Sequence, residues 1–274
     1  MQILKNKLFF SILYFCLLLI DIVVKLNFET IPFRLITKPL VIISLVLFYI
    51  FNNTETSKKK HYFMMLALFF FLIGDMFLIF EEYALFFSLG LFSFVLGKLF
   101  YAFRFSNQRD FKLVRLIPVL SFCFIYMFIL LNIVYDNLGK YFFPVLIYLF
   151  TTMIVVQFVY LRKGEVNYKS YLLVGIGVLF SVLADSVAVL KTFYISGLFF
   201  EKVTIMLFYG ISQFLIVYGI IKEEVNTQII SPEINKYRFD NIEIEQTRVK
   251  TFGDRLNFKR NKINYKFEDS KIEL

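Results

Sequence analysis

The 274-residue sequence lacks tryptophan and contains one histidine, two cysteines, 11 glycines and five prolines. The single histidine, His61, argues against catalysis or metal binding by a histidine cluster. Cys16 and Cys123 both lie in apolar runs, so neither a disulfide framework nor a cysteine metal site is expected. No glycine-rich phosphate loop or nucleotide fingerprint is present, and no basic-aromatic module indicates nucleic-acid binding. We therefore expect no cofactor, no metal and no nucleic-acid partner.

Apolar residues dominate instead. They make up 59% of the chain, which includes 38 phenylalanines and has a mean hydropathy of +0.70. This composition excludes a disordered chain, a collagen-like chain and an ordinary soluble enzyme. Apolar runs long enough to cross a bilayer predict an all-α, polytopic membrane protein with an eight-helix transmembrane bundle. The predicted spans are 8–24, 33–51, 62–80, 83–103, 113–135, 141–161, 170–190 and 198–220.

The loop charges predict an orientation and a boundary. Alternate loops and the N-terminus carry 12 lysines and arginines, and the loops on the other side carry five. The positive-inside rule then places both termini in the cytoplasm, and we expect the bacterial inner (cell) membrane as the location. Residues 1–221 form the predicted eight-span domain. Residues 222–274 contain 21 charged side chains and form a predicted cytoplasmic tail, which we expect to be largely disordered.

Two aspartates lie deep in predicted spans, Asp75 in the third and Asp185 in the seventh. An ionised side chain at mid-span costs at least about 2.5–3.5 kcal/mol on insertion scales, so such residues usually mark a functional site. Gly74 and Ala184 precede them and allow a neighbouring helix to approach closely. The 110-residue separation is consistent with two parallel four-helix repeats, which would direct both carboxyl groups into one cavity. A purely structural role, with each aspartate paired to a lysine or a backbone group, is the alternative.

Further polar residues lie in the spans and are candidate substrate-binding or supporting residues. Lys38 and Lys98 lie near span ends, so snorkelling of their side chains to the headgroups is an alternative explanation. For Tyr101 and Tyr209 the alternative is a place in the belt of aromatic residues at the membrane interface. The candidates are Lys38, Lys98, Tyr101, Tyr148, Ser186, Tyr209 and Gln213.

The order of several short motifs resembles the YhhN-like, or lysoplasmalogenase, family of integral membrane proteins. The resemblance covers about residues 1–221 and rests on TKPL at 37–40, GD at 74–75, GKLFY at 97–101, PVLIY at 144–148, ADS at 184–186 and FYGISQFLI at 208–216. It implies eight spans and, for characterised members, hydrolysis of the vinyl ether bond of lysoplasmalogens. Family members often carry histidine where this chain has Lys98, which keeps a cation but not a group that titrates near neutral pH.

Two buried carboxyl groups suit this reaction, because one can protonate the vinyl ether and the other can stabilise the resulting cation. Asp75 and Asp185 are the predicted catalytic pair, with their roles left open. A lysophospholipid in the bilayer is the predicted substrate, with its phosphate held by Lys38, Lys98 or a cytoplasmic-loop arginine. The alternatives are a carrier of lipids or small solutes that uses the same aspartates, and an inactive structural member of the family. The sequence leaves the oligomeric state open.

Overall fold

A computed structural model describes residues 6–27, 31–106, 113–194 and 201–224. Long apolar runs form helices here because a helix satisfies every backbone hydrogen bond within its own segment. The described residues form eight of them: α1 (Lys7–Asn27), α2 (Ile31–Asn52), α3 (Lys58–Phe77), α4 (Ala84–Phe105), α5 (Leu113–Leu138), α6 (Phe142–Leu161), α7 (Tyr168–Phe193) and α8 (Glu201–Ile221). The predicted all-α membrane bundle is confirmed.

Seven segments of the described chain are long and apolar enough to cross a membrane, against eight predicted spans. The difference arises at Leu116–Leu161, one segment of 46 residues that includes both α5 and α6. A continuous helix of that length would extend about 69 Å, more than twice the hydrocarbon core. The chain instead turns at the 3-10 segment Gly139–Tyr141, where Gly139 has a φ of +46° that favours glycine. The long segment therefore contains two helices.

Large apolar side chains cover much of the outside of the helices. Phe128 and Phe143 are each 70% exposed, and Phe122 is 64% exposed. An apolar surface of this extent would promote aggregation in water, but it suits contact with lipid chains. The polar residues show the opposite distribution, since Asp75, Lys98 and several other ionisable groups are buried.

Two helix pairs make the most extensive contacts, α3 with α4 and α7 with α8, which are equivalent pairs in the two halves of the chain. Small residues allow this close approach. A Cβ added at Gly177 of α7 would lie 2.9 Å from Ile216 Cγ1 and 3.1 Å from the Ile216 backbone nitrogen. A Cβ at Gly219 of α8 would lie 2.8 Å from Val174 Cγ2. The contact between α7 and α8 thus depends on glycine at two places.

A cluster of buried charges lies at the end of the bundle where α4, α6 and α8 end, and it connects these helices. Arg104 Nη2 lies 3.2 Å from Glu223 Oε2 and 2.8 Å from Glu55 Oε2, while Arg162 Nη2 lies 2.8 Å from Glu223 Oε2. Burial lowers the pKa of the Arg162 guanidinium to about 10, so it stays charged at neutral pH. Glu223, just beyond the predicted domain boundary, thus packs against the helices.

The chain divides into the units Met1–Val225 and Asn226–Leu274. Residues 225–274 of the expected disordered tail lie outside the described residues. The disorder of that tail and the cytoplasmic placement of both termini therefore stay predictions.

We expect Gly177→Ala to lower the thermal unfolding midpoint of the detergent-purified protein. The added methyl group meets the backbone of α8, and overpacking of this kind costs about 1–3 kcal/mol. Gly175→Ala is the matched control, because a Cβ there meets only Val159 Cγ1 at 4.0 Å. Equal unfolding midpoints for the two variants would contradict the proposed close contact.

Candidate functional site

Asp75 lies in α3 and is almost fully buried, at 2% exposure. Lys38 of α2 places its Nζ 3.2 Å from Asp75 Oδ1 and donates to the Asp75 backbone oxygen at 3.2 Å. Tyr209 of α8 donates its hydroxyl to Asp75 Oδ2 at 2.8 Å. A buried carboxylate needs such partners to remain stable in a low dielectric. Three helices therefore converge on this one side chain.

Asp185 of α7 is held by a denser set of donors. Lys98 of α4 donates from Nζ to Asp185 Oδ2 at 2.6 Å, and the Tyr148 hydroxyl of α6 donates to Oδ1. Thr152, one turn after Tyr148, places its hydroxyl 3.0 Å from Oδ2 and accepts from Lys98 at 2.7 Å. The Lys98 Nζ also lies 3.6 Å from the centroid of the Tyr148 ring. Both carboxylate oxygens are thus occupied by buried donors.

Both aspartates line one partly open pocket, which contains about 990 Å³ of space when its mouth is included. Tyr148 and Tyr209 also line it. Four further charged residues of the lining come from the ends of α1 and α7, the start of α2 and the connection between α3 and α4; we call this part, formed by Lys25, Arg34, Glu81 and Lys191, the outer end of the pocket. The apolar lining includes Phe87, Leu91, Phe94, Val145, Val189 and Met206. The structure therefore brings the two predicted catalytic residues to a common cavity.

The contacts of the two aspartates follow the pattern of a duplicated four-helix unit. Asp75 binds Lys38, which precedes it by 37 residues, and Asp185 binds Tyr148, which also precedes it by 37 residues. Each aspartate takes its second partner from the last helix of the other half, Tyr209 for Asp75 and Lys98 for Asp185. Each carboxylate thus contacts one lysine and one tyrosine. For Asp75 the lysine comes from its own half of the chain and the tyrosine from the other half, and for Asp185 the reverse holds.

The other predicted site residues lie close by but do not line the pocket. Tyr101 of α4 donates to Gln213 Oε1 of α8 at 2.6 Å, and both side chains are buried. Ser186 shares a hydrogen bond of 2.6 Å with Tyr126 of α5. These pairs join helices around the aspartates. Lys98 also lies outside the pocket lining, although it contacts Asp185.

The sequence analysis did not select several residues that belong to this region. Thr152 lies four residues after Tyr148, and this helical spacing is a signal that places both on one face. Asp21 of α1 is fully buried; it accepts from Thr37 at 2.7 Å, and its Oδ2 has no hydrogen-bond partner among the described residues. Asp21 lies near the end of a predicted span, where a charge is ordinary, so no pattern in the sequence marked it.

This arrangement defines a polytopic α-helical membrane protein with two buried carboxylates at one pocket. The chain belongs to the YhhN family, whose sequence profile it matches over residues 33–220. The matched region begins in α2 and ends in α8, so it contains both aspartates and the lysines and tyrosines that bind them. Comparison with curated proteins and with solved structures gives no significant match.

We expect Lys98→Met to destabilise the detergent-purified protein by about 3–5 kcal/mol, because it leaves the buried Asp185 carboxylate without its cation. The double variant Lys98→Met with Asp185→Leu should recover part of this loss, since it removes both charges. Thermal unfolding of the two variants and the wild type provides the measurement. A double variant that is no more stable than Lys98→Met would contradict the pairing.

Proposed function

We propose that this protein is a membrane-embedded hydrolase that cleaves the vinyl ether bond of a lysoplasmalogen-like lysolipid. The products are a fatty aldehyde and a glycerophospho-alcohol. The observation that carries the proposal is the shared pocket, which is lined by Asp75 and Asp185 and has apolar walls. Membership of the YhhN family is consistent with it.

The pocket suits a substrate with one hydrocarbon chain and a polar head. Its apolar side chains can contact an alkenyl chain, while its polar groups include the two aspartates with their partners and the charged residues at helix ends. Binding sites of small ligands commonly combine apolar walls with a few placed polar groups. A lysolipid has this distribution of polarity.

The chemistry requires one acid and one anion. Proton transfer to the vinyl carbon β to the ether oxygen makes that carbon a CH₂ group and leaves an oxocarbenium ion. Water adds to this cation and loses a proton to form a hemiacetal. The hemiacetal then breaks its bond to the glycerol oxygen, which takes up a proton, and the aldehyde is released. Glycosidases handle a similar cation with two carboxyl groups.

The contacts support different roles for the two aspartates. Asp185 is the anion in this proposal, because Lys98 lies at 2.6 Å and a tyrosine and a threonine occupy its oxygens. Asp75 is the acid. Its lysine lies at 3.2 Å from both the side-chain and the backbone oxygen of Asp75, which leaves the carboxyl group less strongly held as an anion. Tyr209 then orients the Asp75 carboxyl toward the substrate.

We expect purified wild-type protein to release aldehyde from lysoplasmenylcholine or lysoplasmenylethanolamine, and Asp75→Asn to reduce the rate by about 10²–10⁴-fold, because the amide cannot act as a general acid. Aldehyde is measured directly in detergent solution. Asp136→Asn is the matched control, since Asp136 is exposed near the end of α5. Its rate should equal that of the wild type.

Full activity in Asp75→Asn and in Asp185→Asn would contradict the two-carboxylate scheme. No aldehyde from folded wild-type protein would instead favour the carrier, because transporters also place acidic residues inside the membrane. A carrier needs a sealed membrane to show activity, whereas a hydrolase does not.

A further inference from the structure

The outer end of the pocket has an excess of positive charge. Among the described residues that line it, Arg34 and Lys191 are cations and Glu81 is the carboxylate that faces them; the side chain of Lys25 also lines this end. Lys191 Nζ lies 3.2 Å from Glu81 Oε1, so one cation is already balanced. Partial burial raises the pKa of Glu81, but the charge and hydrogen bond of Lys191 together with other nearby lysines lower it, and the net pKa lies below the usual value. At neutral pH the outer end therefore carries a positive charge on Arg34 that Glu81, already paired with Lys191, does not balance.

Arg34 is the best placed of these cations to receive an anion. It lies on α2 one turn before Lys38, so both side chains share one face of the helix and both line the pocket. Its Nε is buried and has no hydrogen-bond partner among the described residues. An unsatisfied buried donor is costly, and a guanidinium group matches the oxygens of a phosphate with paired hydrogen bonds.

We propose that this outer end is a binding site for the phosphate of a lysophospholipid, with Arg34 as the main contact and Lys25 and Lys191 around it. This inference rests on the proposed function for the role of the lysolipid as substrate. It differs from the expectation that Lys38, Lys98 or a cytoplasmic-loop arginine binds the phosphate. Lys38 and Lys98 are instead paired with the two aspartates.

The spacing along the helices fits one glycerol unit. Arg34 precedes Lys38 by four residues, about 6 Å along α2, and Lys191 follows Asp185 by six residues, about 9 Å along α7. In a 1-alkenyl lysophospholipid five bonds separate the phosphorus from the vinyl ether oxygen, a distance of roughly 6 Å. The rise from Arg34 to Lys38, the lysine that contacts Asp75, thus matches the distance from the phosphorus to the vinyl ether oxygen.

The test measures binding separately from hydrolysis. The probe is radiolabelled 1-O-alkyl-lysophosphatidylcholine, whose saturated ether cannot undergo protonation at a vinyl carbon, and its counterpart without phosphate is 1-O-alkylglycerol. Equilibrium binding to the purified full chain in detergent is expected to favour the phospholipid at least about tenfold. Arg34→Gln should remove most of this preference, and Arg34→Lys should retain part of it because it keeps the charge.

Two further variants make the result specific. Glu81→Gln should strengthen binding of the phospholipid and leave the alkylglycerol unchanged, because it removes the carboxylate that opposes the phosphate. A defect of folding would not produce this gain. Lys140→Gln is the matched control, since Lys140 is an exposed cation at the same end of the helices but does not line the pocket. Its binding should equal that of the wild type.

Equal affinities for the two lipids, or an Arg34→Gln variant that still prefers the phospholipid, would overturn the proposed phosphate site. Displacement of the lysolipid by millimolar inorganic phosphate would identify free phosphate as the ligand and would overturn the lipid assignment. Binding of the alkyl probe is independent of cleavage. Phosphate-dependent binding of this probe, together with no aldehyde release from lysoplasmenylcholine or lysoplasmenylethanolamine, would therefore contradict the proposed hydrolysis alone.

Discussion

The structure depends on how two carboxyl groups are kept stable inside a membrane. In a low-dielectric interior a carboxyl group must be hydrogen-bonded and, when ionised, also paired with a cation, and a single helix cannot supply all the partners. Asp75 therefore draws together α2, α3 and α8, and Asp185 draws together α4, α6 and α7. The same pairing leaves both carboxyl groups at the wall of one pocket. Stability and the candidate chemistry thus have a common origin.

Much of the fold and part of the site can be predicted from the sequence. The helices follow from the apolar runs, and Asp75 and Asp185 stand out because a charge at mid-span is costly. The partners are harder to predict, because contact between Lys38 and Asp75 or between Lys98 and Asp185 depends on which helices pack together. Arg34 is also hard to assign, since a cation near a span end is ordinary until the pocket beside it is known.

The two ends of the helices use charge differently. At the end where α4, α6 and α8 finish, Arg104 and Arg162 form ion pairs with carboxylates, including Glu223. At the other end, Arg34 lines the pocket and its Nε has no hydrogen-bond partner among the described residues. The first cluster joins helices, and the second suits an anionic ligand. In our account the substrate therefore enters from the end of the bundle opposite to the one where α8 ends.

The central claim is that a carboxylic acid in this pocket protonates the vinyl carbon of the substrate. Mass spectrometry of the products formed in deuterated, ¹⁸O-labelled water tests it most directly. The account predicts one deuterium on the carbon next to the aldehyde group and no ¹⁸O in the glycerophospho-alcohol, because the bond broken lies between the vinyl carbon and the glycerol oxygen. An aldehyde without deuterium, or ¹⁸O in the glycerophospho-alcohol, would contradict the mechanism.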